Sequence, residues 1–297
     1  MLYTHAFFFN GNLIAQYGYT ADDMYNLVKE GKWTIDKAIE ITSPMYVDVD
    51  GNGTREATDT YGFAYSIWNA ADVWLAAFDQ TVCKTSDKGI EMTFMNDKTV
   101  SIVEKLCAWH YDSGCFFNYP AIYEEETRMR DGTLVFAPIR FKAAFDALRD
   151  MEDPYCIIPY PKWDEAQEQY LTNADDKFTV FTVPLTAVNN AEFLGIVYEA
   201  LCAESFKTVY PTYYDTALKG KYSSDPTTAE MIDLVMSGRN FDFSFQFAEN
   251  AFQQVSYFVR QCLQSNDINI ASRYAKIEKA LNKTLEKNLY PIYGIEG

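Results

Sequence analysis

The sequence predicts an α/β fold, and three observations carry the prediction. Short apolar runs of strand length (residues 4–9, Tyr61–Tyr65, Leu134–Ala137, Tyr155–Pro159 and Phe178–Val183) alternate with stretches of helical spacing. The C-terminal part reads as helical over 226–237, 247–264 and 268–288. Hydrophobic residues make up 48% of 297, enough for a substantial core, and no internal repeat breaks the pattern. Buried strands alternating with helices imply a layered α/β domain with the helical tail packed on it.

Taken in order, 4–9 is a buried strand and Asp22–Lys29 a short helix ending near Gly31. A second helix opens after Thr34, a natural N-cap, with Asp36 in the first turn where the helix dipole favours negative charge. A polar loop, Ser43–Thr60, leads to the extended Tyr61–Tyr65 and a helix over 69–78. Residues 97–112 place Val100, Val103, Leu106, Cys107 and Trp109–Tyr111 near helical spacing. A charged amphipathic helix (122–130), a strand (134–137), a helix (Ala143–Arg149) and a Pro-closed strand (155–159) follow. Residues 159–177 read as a polar crossing segment, and helices are expected over 190–203 and 204–216.

Composition narrows the function. Net charge is −17, which excludes a phosphate-binding basic surface or a polybasic membrane patch and favours a neutral or cationic ligand. Aromatics reach 16%, with 22 Tyr and 21 Phe; such rings offer apolar faces matching those of sugars, although most must be core. No run approaches the 18 apolar residues of a membrane span. Met1–Asn10 lacks a charged leader region and reads as an internal strand, so the chain is expected to begin mid-protein or to come from a truncated reading frame. Six Cys form no CxxC pair and only His5 and His110 are present, so zinc is not expected. The spacing leaves disulfides and buried free thiols open, with free thiols the plainer reading. P-loop and Gly-x-Ser-x-Gly motifs are absent.

The sharpest local motif runs from Asp48 to Asp59. Asp48, Asp50 and Asn52 stand at alternating positions, Gly53 permits a sharp turn, Thr54 offers its carbonyl, and Glu56 and Asp59 complete a calcium-type loop. Hard oxygen donors suit Ca²⁺ rather than Zn²⁺. Pro44 before the loop and a strand after it point to an isolated structural Ca²⁺ site, not a sensor. The run Glu124–Glu126 superficially offers paired carboxylates, but adjacent helical positions diverge, so a solvated face is expected there.

Five segments in order then resemble a known family. They are Phe8-Phe9-Asn10-Gly11-Asn12-Leu13-Ile14, Glu30–Asp36 (EGKWTID), the Asp48–Phe63 insertion, Pro159–Gln167 (PYPKWDEAQ) and Leu218–Asp225 (LKGKYSSD). Together the chain resembles family 1 extracellular solute-binding proteins of ABC transporters, the sugar-binding group related to maltose-binding protein. The resemblance implies a periplasmic-binding-protein-like type II fold of two lobes joined by a hinge, with the first lobe incomplete in this chain. Residues 1–175 and 219–297 would build the main lobe, the latter as a helical return, and 176–218 would belong to the other, leaving apolar surface exposed. It also implies a monomer that closes on an oligosaccharide and docks on ABC permease subunits, anchored outside the cell as a lipoprotein. Ligand contacts are expected at Phe9, Trp68, Asn69, Arg140 and Phe141. Phe245 and Phe247 are added because they precede the long helix expected from Ala248, where the family often has an aromatic platform. Trp33 and Trp163 are assigned to structure. A hydrolase working through two carboxylates, and a sensory receptor uncoupled from import, are the competing readings.

Overall fold

The computed structural model describes residues 2–86, 89–174, 182–221, 226–247 and 251–294. Its centre is a mixed sheet threaded by the first strand, β1 (His5–Asn10), all six residues of which are buried. The other strands are β2 (Tyr46–Val47), β3 (Thr60–Tyr65), β4 (Phe116–Asn118), β5 (Leu134–Arg140) and β6 (Tyr155–Ile158). Their order is β2-β3-β5-β1-β6, with β4 also paired to β3. β1 runs antiparallel to both neighbours, Phe8 opposing Ala137 and Ile157. β3, β4 and β5 are parallel to one another, with Phe63 opposite Phe116 and Phe136.

Side chains alternate across a strand, so β1 feeds two cores. Phe7 and Phe9 enter one, with Trp33, Phe63 and Trp74; Ala6 and Phe8 enter the other, with Ala137 and Ile157. A sheet covered on both faces needs the continuous apolar runs seen in β1 and β5. Rings dominate the first core: Phe63 stacks on Trp109 at 4.2 Å, and Phe7 meets Tyr160 edge-on at 4.9 Å. Gly62 is required where the Thr42–Met45 turn passes against β3, because a Cβ there would lie 2.6 Å from the Thr42 carbonyl oxygen.

Helices follow the polar caps. α1 (Gly11–Gln16) is capped by Asn10, α2 (Ala21–Lys29) by a Thr20–Asp23 capping box, α3 (Ile35–Thr42) by Thr34 and α4 (Asp97–Tyr111) by Asn96. Later come α5 (Glu124–Arg130), α6 (Ala191–Lys207), α7 (Pro226–Ser237), α8 (Phe258–Ser265) and α9 (Ile270–Asn288). Trp33 is buried, with its Nε1 donating to the Pro159 carbonyl at 2.9 Å, as its structural assignment requires. His110 is likewise a core residue. It is bonded to Tyr65 Oη (2.8 Å) and the Leu106 carbonyl, and burial pushes its pKa down to about 3.

Several expected elements differ. Residues 143–149 form no helix; a 3-10 turn covers Phe141–Phe145 instead. Of the helix expected over 247–264, residues 248–250 lie outside the described residues; among the others it begins at Phe258, after Gln253 and Gln254, whose left-handed backbone angles (φ 49° and 61°) a helix does not use. The helix expected over 204–216 breaks at Thr208; a short turn, Val209–Pro211, precedes a π-helical stretch, Thr212–Lys221. Of the strand expected at Phe178–Val183, residues 178–181 lie outside the described residues. All six cysteines are free thiols. α6 has no buried residue, and Phe193, Ile196, Leu201 and Phe206 are exposed on it.

Candidate functional site: a crevice at the strand ends

The three parallel strands end on one edge, at Tyr65, Asn118 and Arg140, and β1 begins on the same edge at His5. In α/β sheets the backbone diverges beyond the carboxyl ends of strands and leaves a crevice. Here the departing segments carry Ser66, Trp68 and Asn69 after β3, Tyr123 with Glu125 and Glu126 after β4, and Arg140 at the end of β5. All of these line one narrow pocket together with His5, with about 10 Å³ of free space between them.

The charges in the crevice are fixed. Arg140 is 7% exposed and donates from Nη2 (2.7 Å) and Nε (3.3 Å) to Glu126 Oε1. Its guanidinium carbon lies 3.5 Å from the centre of the Tyr123 ring, a cation–π contact. Tyr123 reaches that place with a left-handed backbone (φ 69°), a conformation disfavoured for a residue with a side chain. Glu125 is 4% exposed, and its Oε2 accepts from the Ser66 N–H at 3.1 Å. Burial pushes the Glu125 pKa up to about 8; backbone N–H groups oppose the rise and the charge of Glu126 adds to it. Burial also raises Glu126, against the pull of Arg140. Trp68 is exposed, with Arg260 4.5 Å from its ring centre and Arg260 held by Asp72 at 2.8 Å.

Three expected contacts, Trp68, Asn69 and Arg140, therefore meet in one place. Two are corrected. Phe9 and Phe141 are wholly buried, in opposite cores, and present no surface to a ligand. The side chain of Phe9 faces Phe136 (5.5 Å) and Tyr25 (6.2 Å) across the covered sheet. Phe245 packs on Tyr257 at 5.5 Å and Phe247 on Phe243 at 5.1 Å, and neither lines the crevice. The solvated face expected at Glu124–Glu126 is also corrected. α5 packs against the sheet, burying Glu125 and Glu126, and only Glu124 turns outward, to Arg128 (2.8 Å). His5 and Tyr123 gave no sequence signal; the acidic run did, but one-dimensional spacing does not show which face of α5 packs.

The Asp48–Asp59 loop folds around its own carboxylates. Asp48 accepts from the Gly51 and Gly53 N–H groups at 2.8 and 2.7 Å, and both glycines use positive φ (71° and 75°). Asn52 accepts from the Thr54 N–H at 2.6 Å. Asp59 is buried and accepts from Val49 N–H (3.1 Å), Tyr46 Oη (3.0 Å) and Glu56 N–H (3.2 Å). Burial disfavours its charge, but these donors outweigh that effect and hold its pKa below the usual range. Carboxylate oxygens of Asp48, Asp50 and Asp59 lie within 4.8 Å of one another, a donor set suited to a hard divalent cation. Glu56 is not among them; its Oε1 accepts from Thr58 Oγ1 at 3.0 Å.

No family model matches the sequence, and no curated protein matches it. Solved structures do match. The sugar-binding protein MalE from Xanthomonas citri superposes with a TM-score of 0.64 at 11% identity, covering 99% of this chain and 71% of MalE. UgpB from Mycobacterium tuberculosis, in complex with glycerophosphocholine, gives 0.57 at 15% identity, covering 96% and 70%. The ABC substrate-binding protein Lmo0181 from Listeria monocytogenes, in complex with cycloalternan, gives 0.53 at 11%, covering 99% and 70%. At these identities the likeness is one of architecture: the chain has the mixed α/β, periplasmic-binding-protein-like fold of sugar-binding ABC substrate-binding proteins.

Proposed function

We propose that this protein binds a solute, an oligosaccharide in the first instance, and delivers it to an ABC importer. The observation that carries the reading is the crevice at the carboxyl ends of β3, β4 and β5, which gathers an exposed Trp, an Asn, an Arg and two carboxyls on the fold of sugar binders. Trp68 would stack on a sugar face, and Asn69 and Glu125 would bond hydroxyls. Arg140 would act chiefly by holding Glu126 and Tyr123 in place. Closure of a second lobe, to which 176–218 would belong, would bury the ligand and create the surface read by the permease subunits. No covalent step is needed. The protein would work as an extracellular, lipoprotein-anchored monomer. The Asp48–Asp59 loop would hold Ca²⁺ through Asp48, Asp50 and Asp59, with Asn52 and the Thr54 carbonyl completing the shell; the ion would tie the loop to β3.

Glu126 is committed to Arg140, so a two-carboxylate hydrolase would lack its second free group. Thermal unfolding against a panel of neutral oligosaccharides, with product analysis of each, tests the proposal. A sugar at about 100 times its Kd should stabilise the fold by ~2.7 kcal/mol, and the Trp68→Ala variant should lose the response. Absence of any shift across the panel rejects the oligosaccharide reading, and cleavage of a sugar rejects the binding-only reading.

A further inference from the structure

Away from the crevice, a cleft of about 630 Å³ opens between the end of α2, the C-terminal half of α7 and the segment Lys162–Tyr170. Sites for small ligands commonly fall between about 300 and 1,000 Å³. Two side chains lining it have unspent donors. Lys162 is 3% exposed; its Nζ donates to the Gln167 carbonyl at 2.8 Å and lies 5.2 Å from the Tyr170 ring centre. Among the described residues it forms no ion pair. An ammonium has three N–H groups, and burying one without a counter-charge is costly. Tyr170 is 7% exposed, and its Oη is buried with no hydrogen-bond partner. The neighbouring Trp33 N–H is already given to the Leu27 carbonyl at 3.0 Å. Burial raises the Tyr170 pKa, which keeps the hydroxyl protonated and a donor.

The cleft is built rather than incidental. The backbone of Lys162 is clamped on both sides, its N–H to the Trp33 carbonyl (3.0 Å) and its carbonyl to the Ile35 N–H (2.8 Å). Gly31 leaves space beside the ammonium; a Cβ there would stand 3.3 Å from Nζ. Gly238 lets the chain after α7 close on the Tyr170 backbone, since a Cβ there would fall 1.9 Å from the Tyr170 carbonyl oxygen. An exposed Lys29–Glu230 ion pair (2.8 Å), both residues of which line the cleft, joins α2 to α7.

We propose that this cleft is a ligand site separate from the crevice, taking a carboxylate-bearing solute of monosaccharide size whose oxyanion bonds Lys162 Nζ and Tyr170 Oη. A buried cation with one N–H given to the Gln167 carbonyl and no ion pair among the described residues, beside a hydroxyl with no acceptor, calls for an acceptor that brings negative charge. Of the two carboxylates in the cleft's own lining, Glu230 is paired with Lys29 and Glu168 is exposed at the rim, while repulsion from surface charges farther off is screened beyond about 8 Å at physiological ionic strength. Ser237 and Gln169, which also line the cleft, offer partners for hydroxyls on the same solute.

The probe is sodium D-glucuronate, with D-glucose as the control that replaces the carboxylate by a neutral group. Thermal unfolding of the full chain is followed at constant ionic strength. Glucuronate should raise Tm saturably, by roughly 2–4 °C near saturation, and glucose should not. Tyr170→Phe should weaken the apparent affinity roughly tenfold, and Lys162→Met should abolish it. Should Lys162→Met fail to fold, because its side chain also holds the Gln167 carbonyl, Tyr170→Phe decides. No saturable response to glucuronate, an equal response to glucose, or unchanged affinity in Tyr170→Phe overturns the proposal.

Discussion

Two acidic stretches of this chain look alike as strings and have opposite fates. Asp48–Asp59 and Glu124–Glu126 each concentrate carboxylates over a short span. In the first, the chain turns back on itself. Backbone N–H groups of the same loop satisfy the carboxylates, and Asp48 and Asp50 stay within reach of solvent. In the second, a seven-residue helix packs against the sheet, and two carboxyls are carried into a crevice where a distant Arg and a distant backbone N–H meet them. Local turn chemistry organises one cluster, whereas tertiary packing creates the other. The two should therefore respond differently to the same perturbations.

The largest difference should come from removing the distant partner. Arg140→Met leaves Glu126 buried without its counter-charge. Breaking a buried pair in this way typically costs about 3–5 kcal/mol, so denaturant unfolding should show a loss of that order. A loss under 1 kcal/mol would mean that the crevice is wet enough to solvate Glu126 alone. Glu126→Gln in the same background should restore much of the loss.

Next is the pH response. The folded-state pKa of Glu125 is raised to about 8 from an unfolded value near 4.5, so the folded state binds the extra proton between these values. The stability contributed by protonated Glu125 is fully present below about pH 4.5 and is lost as pH rises towards 8. The slope should be at most about 1.4 kcal/mol per pH unit. Glu125→Gln should flatten that part of the profile. A profile that rises from pH 5 to 8 in the wild type and is unchanged in the variant would remove Glu125 as its cause.

The smallest effect belongs to the loop. Millimolar Ca²⁺ should stabilise the chain, by up to ~2.7 kcal/mol at about 100 times Kd, and Asp48→Asn should lose that response. In a chelator the same variant should change stability by only about 1 kcal/mol, since Asp48 bonds only its own turn. An equal Ca²⁺ response in wild type and variant would place the ion elsewhere.

Much of the fold was legible because it is written in short-range terms. The apolar run of β1 announces a strand and Thr34 the start of a helix, and both are found there. Trp68, Asn69 and Arg140 were legible as neighbours in one crevice because each ends or closely follows a strand, where α/β sheets leave room for ligands. Phe9 and Phe141 misled for the converse reason. Phe141 directly follows such an end, but its side chain turns into a core; Phe9 lies towards the opposite edge of the sheet, across from Phe136, because β1 runs antiparallel to β5, and that register is set by strands far away in sequence.

The sequence by itself determined β1, β3, β5 and β6, the helix cap at Thr34, the sharp loop at Asp48–Asp59 and the acidic, aromatic character of the protein. Each of these follows from neighbours within a few residues. Only the tertiary structure decided that β1 lies between β5 and β6, that Glu125 and Glu126 are buried, and that His5 and Arg140 share an edge. It also decided that Lys162 and Tyr170 line one cleft with unspent donors. These outcomes depend on which surfaces exclude water together. That is settled by contacts between residues over 100 positions apart, such as His5 and Arg140, which no local pattern encodes.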